Sequence, residues 1–161
     1  MTGLHESFPG PREIRLDLPA AHSAGRMARQ VVARFAEREG LVDDELATLE
    51  LVVSELLSNA VDHGGGNAAM EESDLTEDVR MTLSLAFAPD RWELRVCDQG
   101  GGDPALMQPF LERDGLPDLS DDRGRGFFLL LDMLQDLRIV VSPDAKGLEV
   151  IAVRYVELGG A

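Results

Sequence analysis

The chain is expected to fold as an α/β two-layer sandwich, with a mixed, mostly antiparallel sheet and helices on one face. Three observations carry that expectation. Apolar residues recur at helical spacing in two consecutive segments near the N-terminus. Two alternating segments joined by Ala88-Pro89-Asp90 then read as a hairpin. A helix and a second pair of strands close the chain. Hairpins of consecutive strands exclude a doubly wound parallel sheet, where a helix separates each strand from the next. At 161 residues, 44% of them apolar and 28% charged, the chain is long enough for one domain with its own core.

Residues 1–11 hold two prolines and two glycines without periodicity and are expected to form a flexible tail. The single domain then runs over residues 12–158. Ile14, Leu16 and Leu18 alternate with Arg15 and Asp17, predicting a short strand that Pro19 ends. Over residues 20–39, Ala24, Met27, Ala28, Val31, Val32 and Phe35 recur at helical spacing, and Gly40 supplies a stop. Asp43 or Asp44 can cap a second helix reaching His63, closed by Gly64, Gly65 and Gly66. Residues 67–78, with five acids from Glu71 to Asp78, bury too little apolar surface to offset their ordering entropy and are expected to be a mobile loop.

Strands are predicted over residues 79–87 and 92–96. Residues 98–126 are rich in Gly, Asp and Pro, a length found in functional lids or in disordered segments, with the lid expected at 103–123. A third helix is predicted over 127–137, then strands over 138–142 and 148–156.

Thirty acidic against fifteen basic residues give a net charge of −15. That field repels phosphate backbones and anionic lipid, so neither nucleic acid nor membrane is an expected partner. It leaves room for a small anion held by backbone amides and a metal ion. Cys97 is the one cysteine, so no internal disulfide forms, and it is expected to be a small buried apolar residue. With no signal pattern and no long apolar run, the expected location is cytoplasmic.

Three segments carry candidate chemistry. On the second helix, Leu46, Leu49, Val53, Leu56, Leu57 and Ala60 form one stripe, while Glu55, Asn59 and Asp62 share the other face. A carboxylate and a carboxamide one turn apart suit a hard cation such as Mg2+, although an ordinary solvated face gives the same spacing. After the strand at 92–97 comes Asp98-Gln99-Gly100-Gly101-Gly102. Such a carboxylate can accept from an exocyclic amine while glycines admit a planar ring, and a Gly-rich turn is the plainer alternative. Third, Gly124 and Gly126 lead into Phe127-Phe128-Leu129, which offers amides and a helix dipole to a phosphate, with Arg123 and Arg125 as cationic support or as solvated arginines.

In this order the segments resemble the GHKL ATPase superfamily, whose domain is the Bergerat ATP-binding fold. Glu55-Leu56-Leu57-Ser58-Asn59 is similar to its N-box, Asp98 to Gly102 to its first glycine box, and Gly124 to Leu129 to its second. The stretch Leu51 to His63 looks especially like the bacterial anti-sigma-factor serine kinases. The resemblance implies ATP and Mg2+ as cofactors. It implies Asn59 as the Mg2+ ligand, Glu55 as the catalytic base and Asp98 as the reader of the adenine amine. Gly100 and Gly102 would shape the base pocket, and Gly124 and Gly126 would cradle phosphates. Asp62, Arg123 and Arg125 join the nucleotide-binding set, and His63 is read as a helix cap. Many relatives carry a Thr or Ser near Leu148 that contacts nucleotide; Gly147-Leu148-Glu149 lacks that hydroxyl.

The implied activity is transfer of the ATP γ-phosphate to a serine of an antagonist protein. The implied partners are that antagonist, a sigma factor or both, with a homodimer left open. The alternative is a non-catalytic switch in which nucleotide orders the lid and gates a partner. Retention of Glu55 favours chemistry, because a pure binder needs no base.

Overall fold

A computed structural model of the chain describes residues 12–65, 67–111 and 122–158. The elements run β1 (Arg12–Pro19), α1 (His22–Arg38), α2 (Asp43–His63), β2 (Arg80–Ala88), β3 (Arg91–Cys97), a single turn α3 (Pro104–Met107), α4 (Asp122–Leu131), β4 (Asp136–Val141) and β5 (Leu148–Tyr155). The strands form one sheet in the order β1-β2-β3-β5-β4. All four pairings are antiparallel, so the expected mixed sheet is corrected to a purely antiparallel one. β5 turns back on β4 and inserts between it and β3, which places both of its neighbours antiparallel.

Alternation explains the two layers. Met81, Leu83, Leu85 and Phe87 of β2 face the helices together with Trp92, Leu94 and Val96 of β3, and all are buried. α2 packs on β2 and β3 beside α1, which lies over β1, and buries Leu49, Val52, Val53, Leu56, Leu57, Ala60 and Val61. α1 approaches α2 through small residues, Ala24, Ala28, Ala33 and Ala36, with Val32. Close approach by alanines leaves the larger Met27 and Val31 outside, 60% and 39% exposed, although their spacing suggests the core stripe. Each buried Leu or Val is worth about 1.5–3 kcal/mol, so α2 is the main apolar donor of the helical layer.

The acidic segment departs from the expected unpacked loop. Its backbone closes the start of α1, with the amides of His22 and Ser23 donating to Ala69 and Met70 carbonyls at 2.8 and 2.9 Å. Glu71 and Asp74 cap a short 3-10 turn, and Ala69 is buried. Near the C-terminus, α4 begins at Asp122 and ends at Leu131, and β4 already starts at Asp136. The periodicity of 127–137 therefore covers two elements, with Leu134 and Leu137 buried from a turn and a strand. Of the expected lid, residues 104–111 form α3 and a 3-10 turn with Met107 buried, while 112–121 lie outside the described residues, as does the tail 1–11.

Arg154 on β5 ties the layers together. Its guanidinium donates two bonds to Glu45 of α2, at 2.7 and 2.9 Å, and a third to the Met133 carbonyl. These bonds hold the Glu45 carboxyl below its usual range. On the open face of the sheet, Cys97 is half-buried rather than a core residue, and its thiol donates to Glu149 at 3.2 Å. Burial pushes this thiol up to about 11, with Glu149 adding to the effect.

Glu45→Gln is expected to cost about 0.5–1 kcal/mol at pH 7, the size of a partly exposed pair. Because ionised Glu45 is the favoured form, the cost is present above the usual 4.5 and fades as pH falls through the lowered value. Urea midpoints of both proteins at pH 7 and pH 3 test this; an equal gap at both pH values would contradict it. Cys97 should alkylate with iodoacetamide at pH 8 about 100-fold more slowly than a small thiol.

Candidate functional site

Glu55 and Asn59 project from α2 toward the start of α4. Gly126 decides how near α4 can come: a Cβ there would lie 2.6 Å from Glu55 Oε2 and 4.0 Å from Asn59 Nδ2. The α4 backbone therefore lies directly against that acid-and-amide pair, and a Cβ at 126 would push the mobile end of Glu55 aside. α4 also explains why Asn59 is buried, at 9% exposure, rather than on the solvated face its spacing suggests. Its Nδ2 is buried and makes no hydrogen bond among the described residues. Gly124 and Gly126 sit inside α4, not ahead of it, so the glycine pair belongs to the helix's first turns. Amides of a first turn have no intrahelical acceptor and carry the positive end of the dipole. The side chains of Arg123 and Arg125 lie outside the described residues.

The second wall is the end of β3. Asp98 is 7% exposed. Its backbone amide donates to the Leu148 carbonyl at 3.0 Å, extending the β3–β5 ladder by one residue. Its Oδ1 accepts from the Gly100 amide at 3.0 Å and from the Leu148 amide at 3.1 Å. Among the described residues Oδ2 accepts nothing, so the carboxylate is locked through one oxygen and presents the other. Gln99 turns away and accepts from the Arg80 amide at 2.9 Å. Gly101 donates to the Lys146 carbonyl at 2.8 Å, pinning the glycine run to the β4–β5 turn.

Both walls are joined by backbone contact. A Cβ on Gly100 would lie 2.7 Å from the carbonyl carbon of Gly64, the residue that ends α2. A Cβ on Gly102 would lie 2.9 Å from Leu148 Cδ1, so the leucine side chain packs directly on the glycine run, with no hydroxyl at that position. Glu55, Asn59 and Gly126 are thus adjacent, and Asp98, Gly100 and Gly102 adjoin the end of the same helix. Asp62 is not with them. It is exposed, and its carboxylate meets His22 Nε2 of α1 at 2.7 Å. The α1 N-terminus crosses the last turn of α2 and captures this acid, which helical spacing alone cannot foresee. His63 stands exposed in the same last turn.

Gly64, Gly147 and the Leu148 amide also touch Asp98, contacts that local sequence pattern does not reveal. A glycine after a helix reads as a stop and a glycine in a turn reads as a turn. The only available signal was that both sit beside Asp98 once β3 and β5 are paired.

A family profile described as "Histidine kinase-like ATPase domain" matches residues 18–154, which include every element of the site. The chain belongs to that family. Among its relatives, the serine-protein kinase RsbW of Listeria monocytogenes is 24% identical over 150 residues, covering 89% of this chain and 87% of its own. The RsbW of Halalkalibacterium halodurans is 28% identical over 144 residues, 82% of each chain. The anti-sigma F factor of Bacillus licheniformis is 26% identical over 141 residues, 82% of this chain and 85% of its own. A solved structure, the mycobacterial sensor histidine kinase MprB, overlays with a TM-score of 0.49 at 16% identity, covering 89% of this chain and 97% of that one. No helix among the described residues of this histidine-kinase-like domain is long and apolar enough to cross a membrane.

Gly100→Ala is expected to destabilise this domain by about 1–3 kcal/mol, because the added methyl meets α2 backbone rather than a side chain that can swing aside. Equilibrium urea unfolding measures it; an unchanged midpoint would mean that α2 and β3 do not abut there.

Proposed function

We propose that this domain binds Mg2+-ATP in the hollow between α2, α4 and the end of β3, and transfers the γ-phosphate to a serine of a partner protein. One observation carries the catalytic half: Glu55, a carboxylate, stands against Gly126 beside Asn59, where a pure binding site needs an amide but no base. The relatives named as serine-protein kinases support the same reaction.

The residues suit the nucleotide. Asp98 offers one free carboxylate oxygen, which the exocyclic amine of adenine can fill. Asn59 has a buried, unpartnered amide beside Gly126, a group that stays costly until something polar arrives. No group of three His, Cys, Asp or Glu able to hold a metal exists among the described residues. That fits Mg2+, which keeps most of its waters and takes few protein ligands beside substrate phosphates. Asn59 would hold it through its carboxamide oxygen. When bound, Mg2+ neutralises charge on the phosphate oxygens as the β–γ bond opens.

The protein's own part is positional. The first-turn amides of α4, with Gly124 and Gly126 leaving the backbone bare, hold phosphate oxygens. Glu55 accepts the proton of the serine hydroxyl. The hydroxyl oxygen bonds to the γ-phosphorus, the bond from that phosphorus to the β–γ bridging oxygen breaks, and ADP leaves with the electron pair. The partner is an antagonist protein of the anti-sigma-factor type, a sigma factor or both, within the cytoplasm.

Asp98→Asn is expected to weaken Mg2+-ATP binding at least about 100-fold, because it sets an amide against an amine in a buried site. Glu55→Ala should keep affinity within about threefold and lose phosphoryl transfer by at least about 100-fold. Calorimetric titration of both variants checks the first two. Incubation with labelled ATP and candidate antagonist proteins, followed by phosphosite mapping, checks the third. Full ATP affinity in Asp98→Asn would remove the base pocket from this hollow. Binding without transfer in the parent protein would select the nucleotide switch instead.

A further inference from the structure

The carboxylate of Asp98 is confined from two sides by glycines that are not part of its own motif. A Cβ on Gly64 would lie 2.5 Å from Asp98 Cβ and 2.8 Å from its Cγ. A Cβ on Gly147 would lie 2.2 Å from Asp98 Oδ1 and 2.4 Å from its carbonyl oxygen. Real Cβ atoms do not sit at such distances, so a residue with a side chain at either place must move the carboxylate or its strand. The turn bearing Gly147 is itself fixed. Ser142, 4% exposed, accepts from the Gly147 amide at 3.1 Å and donates to Asp144 at 2.6 Å. Asp144 in turn accepts from the Lys146 amide at 3.0 Å. Next to Gly147, the Leu148 amide takes Asp98 Oδ1.

We propose that the β4–β5 turn, through Gly147 held by Ser142 and with Gly64 opposite, fixes the position and plane in which the Asp98 carboxylate meets the bound base. It thereby selects a purine bearing an exocyclic amine over one bearing a carbonyl. Gly147, Gly64 and Ser142 are positioning residues, acting on the base only through Asp98. A carboxylate accepts at both oxygens, and the two amides on Oδ1 hold it at the angle that lets it accept from the base. An amine is satisfied there, whereas a carbonyl oxygen sets lone pair against lone pair. Rotation of the carboxylate blurs that distinction while leaving the phosphate end of the hollow, at Asn59 and α4, untouched. This inference rests on the assignment of the hollow to ATP.

The test compares ATP with inosine triphosphate, which carries a carbonyl where adenine carries its amine, each with Mg2+, by calorimetric titration of the full chain. The parent protein should prefer ATP by at least about 100-fold. Gly147→Ala should lose about tenfold or more of that preference, entirely through weaker ATP binding, while inosine triphosphate changes by less than about threefold. Ser142→Ala, which frees the turn without adding an atom, should shift the preference in the same direction by a smaller factor. Gly25→Ala is the control, because its new Cβ meets only Leu57 Cβ at an ordinary 3.7 Å. Its preference should match the parent's.

Equal loss of both nucleotides in Gly147→Ala, or an unchanged preference, overturns the inference while the ATP assignment stands. If Gly147→Ala fails to fold by circular dichroism, an unchanged preference in folded Ser142→Ala overturns it in the same way. Failure of the parent protein to bind either nucleotide overturns the ATP assignment and this inference together.

Discussion

A contact with no room for a side chain joins the end of α2 to the end of β3, and the site depends on it. Gly64 and Gly100 approach so closely that a Cβ on either would strike the other's surroundings below 3 Å. That contact fixes the final turns of α2 relative to Asp98. Asn59 lies five residues before Gly64, or about 7.5 Å along the helix axis at 1.5 Å per residue. Asp98 and Asn59, to which the proposed function gives the base and the phosphates, are therefore separated by one rigid helical segment. Loops could supply the same residues, but not so constant a spacing.

The same helix carries the most evident conflict between local pattern and function. α2 is enclosed over its second half by the sheet, by α1 and by α4, where Leu56, Leu57, Asn59, Ala60 and Val61 are all buried. A helix so enclosed is stabilised by apolar residues throughout, yet position 59 holds an asparagine whose Nδ2 has no partner among the described residues. A buried unpartnered amide costs about 1–3 kcal/mol. A leucine there would raise stability and remove the polar floor of the hollow. Places where a chain breaks its own local rules at a cost are where function is expected to reside.

Much of this was legible beforehand for a physical reason. α2 ends at His63 before the expected Gly64 stop, but Asp43 and Asp44 lie within its first turn rather than capping it, and the preceding Val42 offers no side-chain cap. The β2–β3 hairpin follows from alternation and a short turn, which are local too. What stayed hidden depends on neighbours distant in sequence. Asp62 is drawn to His22, forty residues away, so spacing along one helix does not reveal it. Leu134 and Leu137 continue the helical period of α4 and yet belong to a turn and to β4, because both elements face the same core. Gly64 and Gly147 act on Asp98 only after β3, β5 and α2 have met.

The charge of the chain sharpens what the hollow must supply. A net −15 opposes a triphosphate at long range, although salt screens that repulsion beyond about 8 Å. Within that distance the described walls of the site carry Glu55 and Asp98, two more acids. Under the proposed function, first-turn amides of α4 and a divalent cation at Asn59 would supply attraction for the anion. Bare backbone is effective only when nothing shields it, which is why glycine recurs at 124 and 126 and why Gly126 lies hard against Glu55. An acidic chain can therefore hold a polyanion through backbone dipoles fixed in place before the ligand arrives and a metal ion that arrives with it.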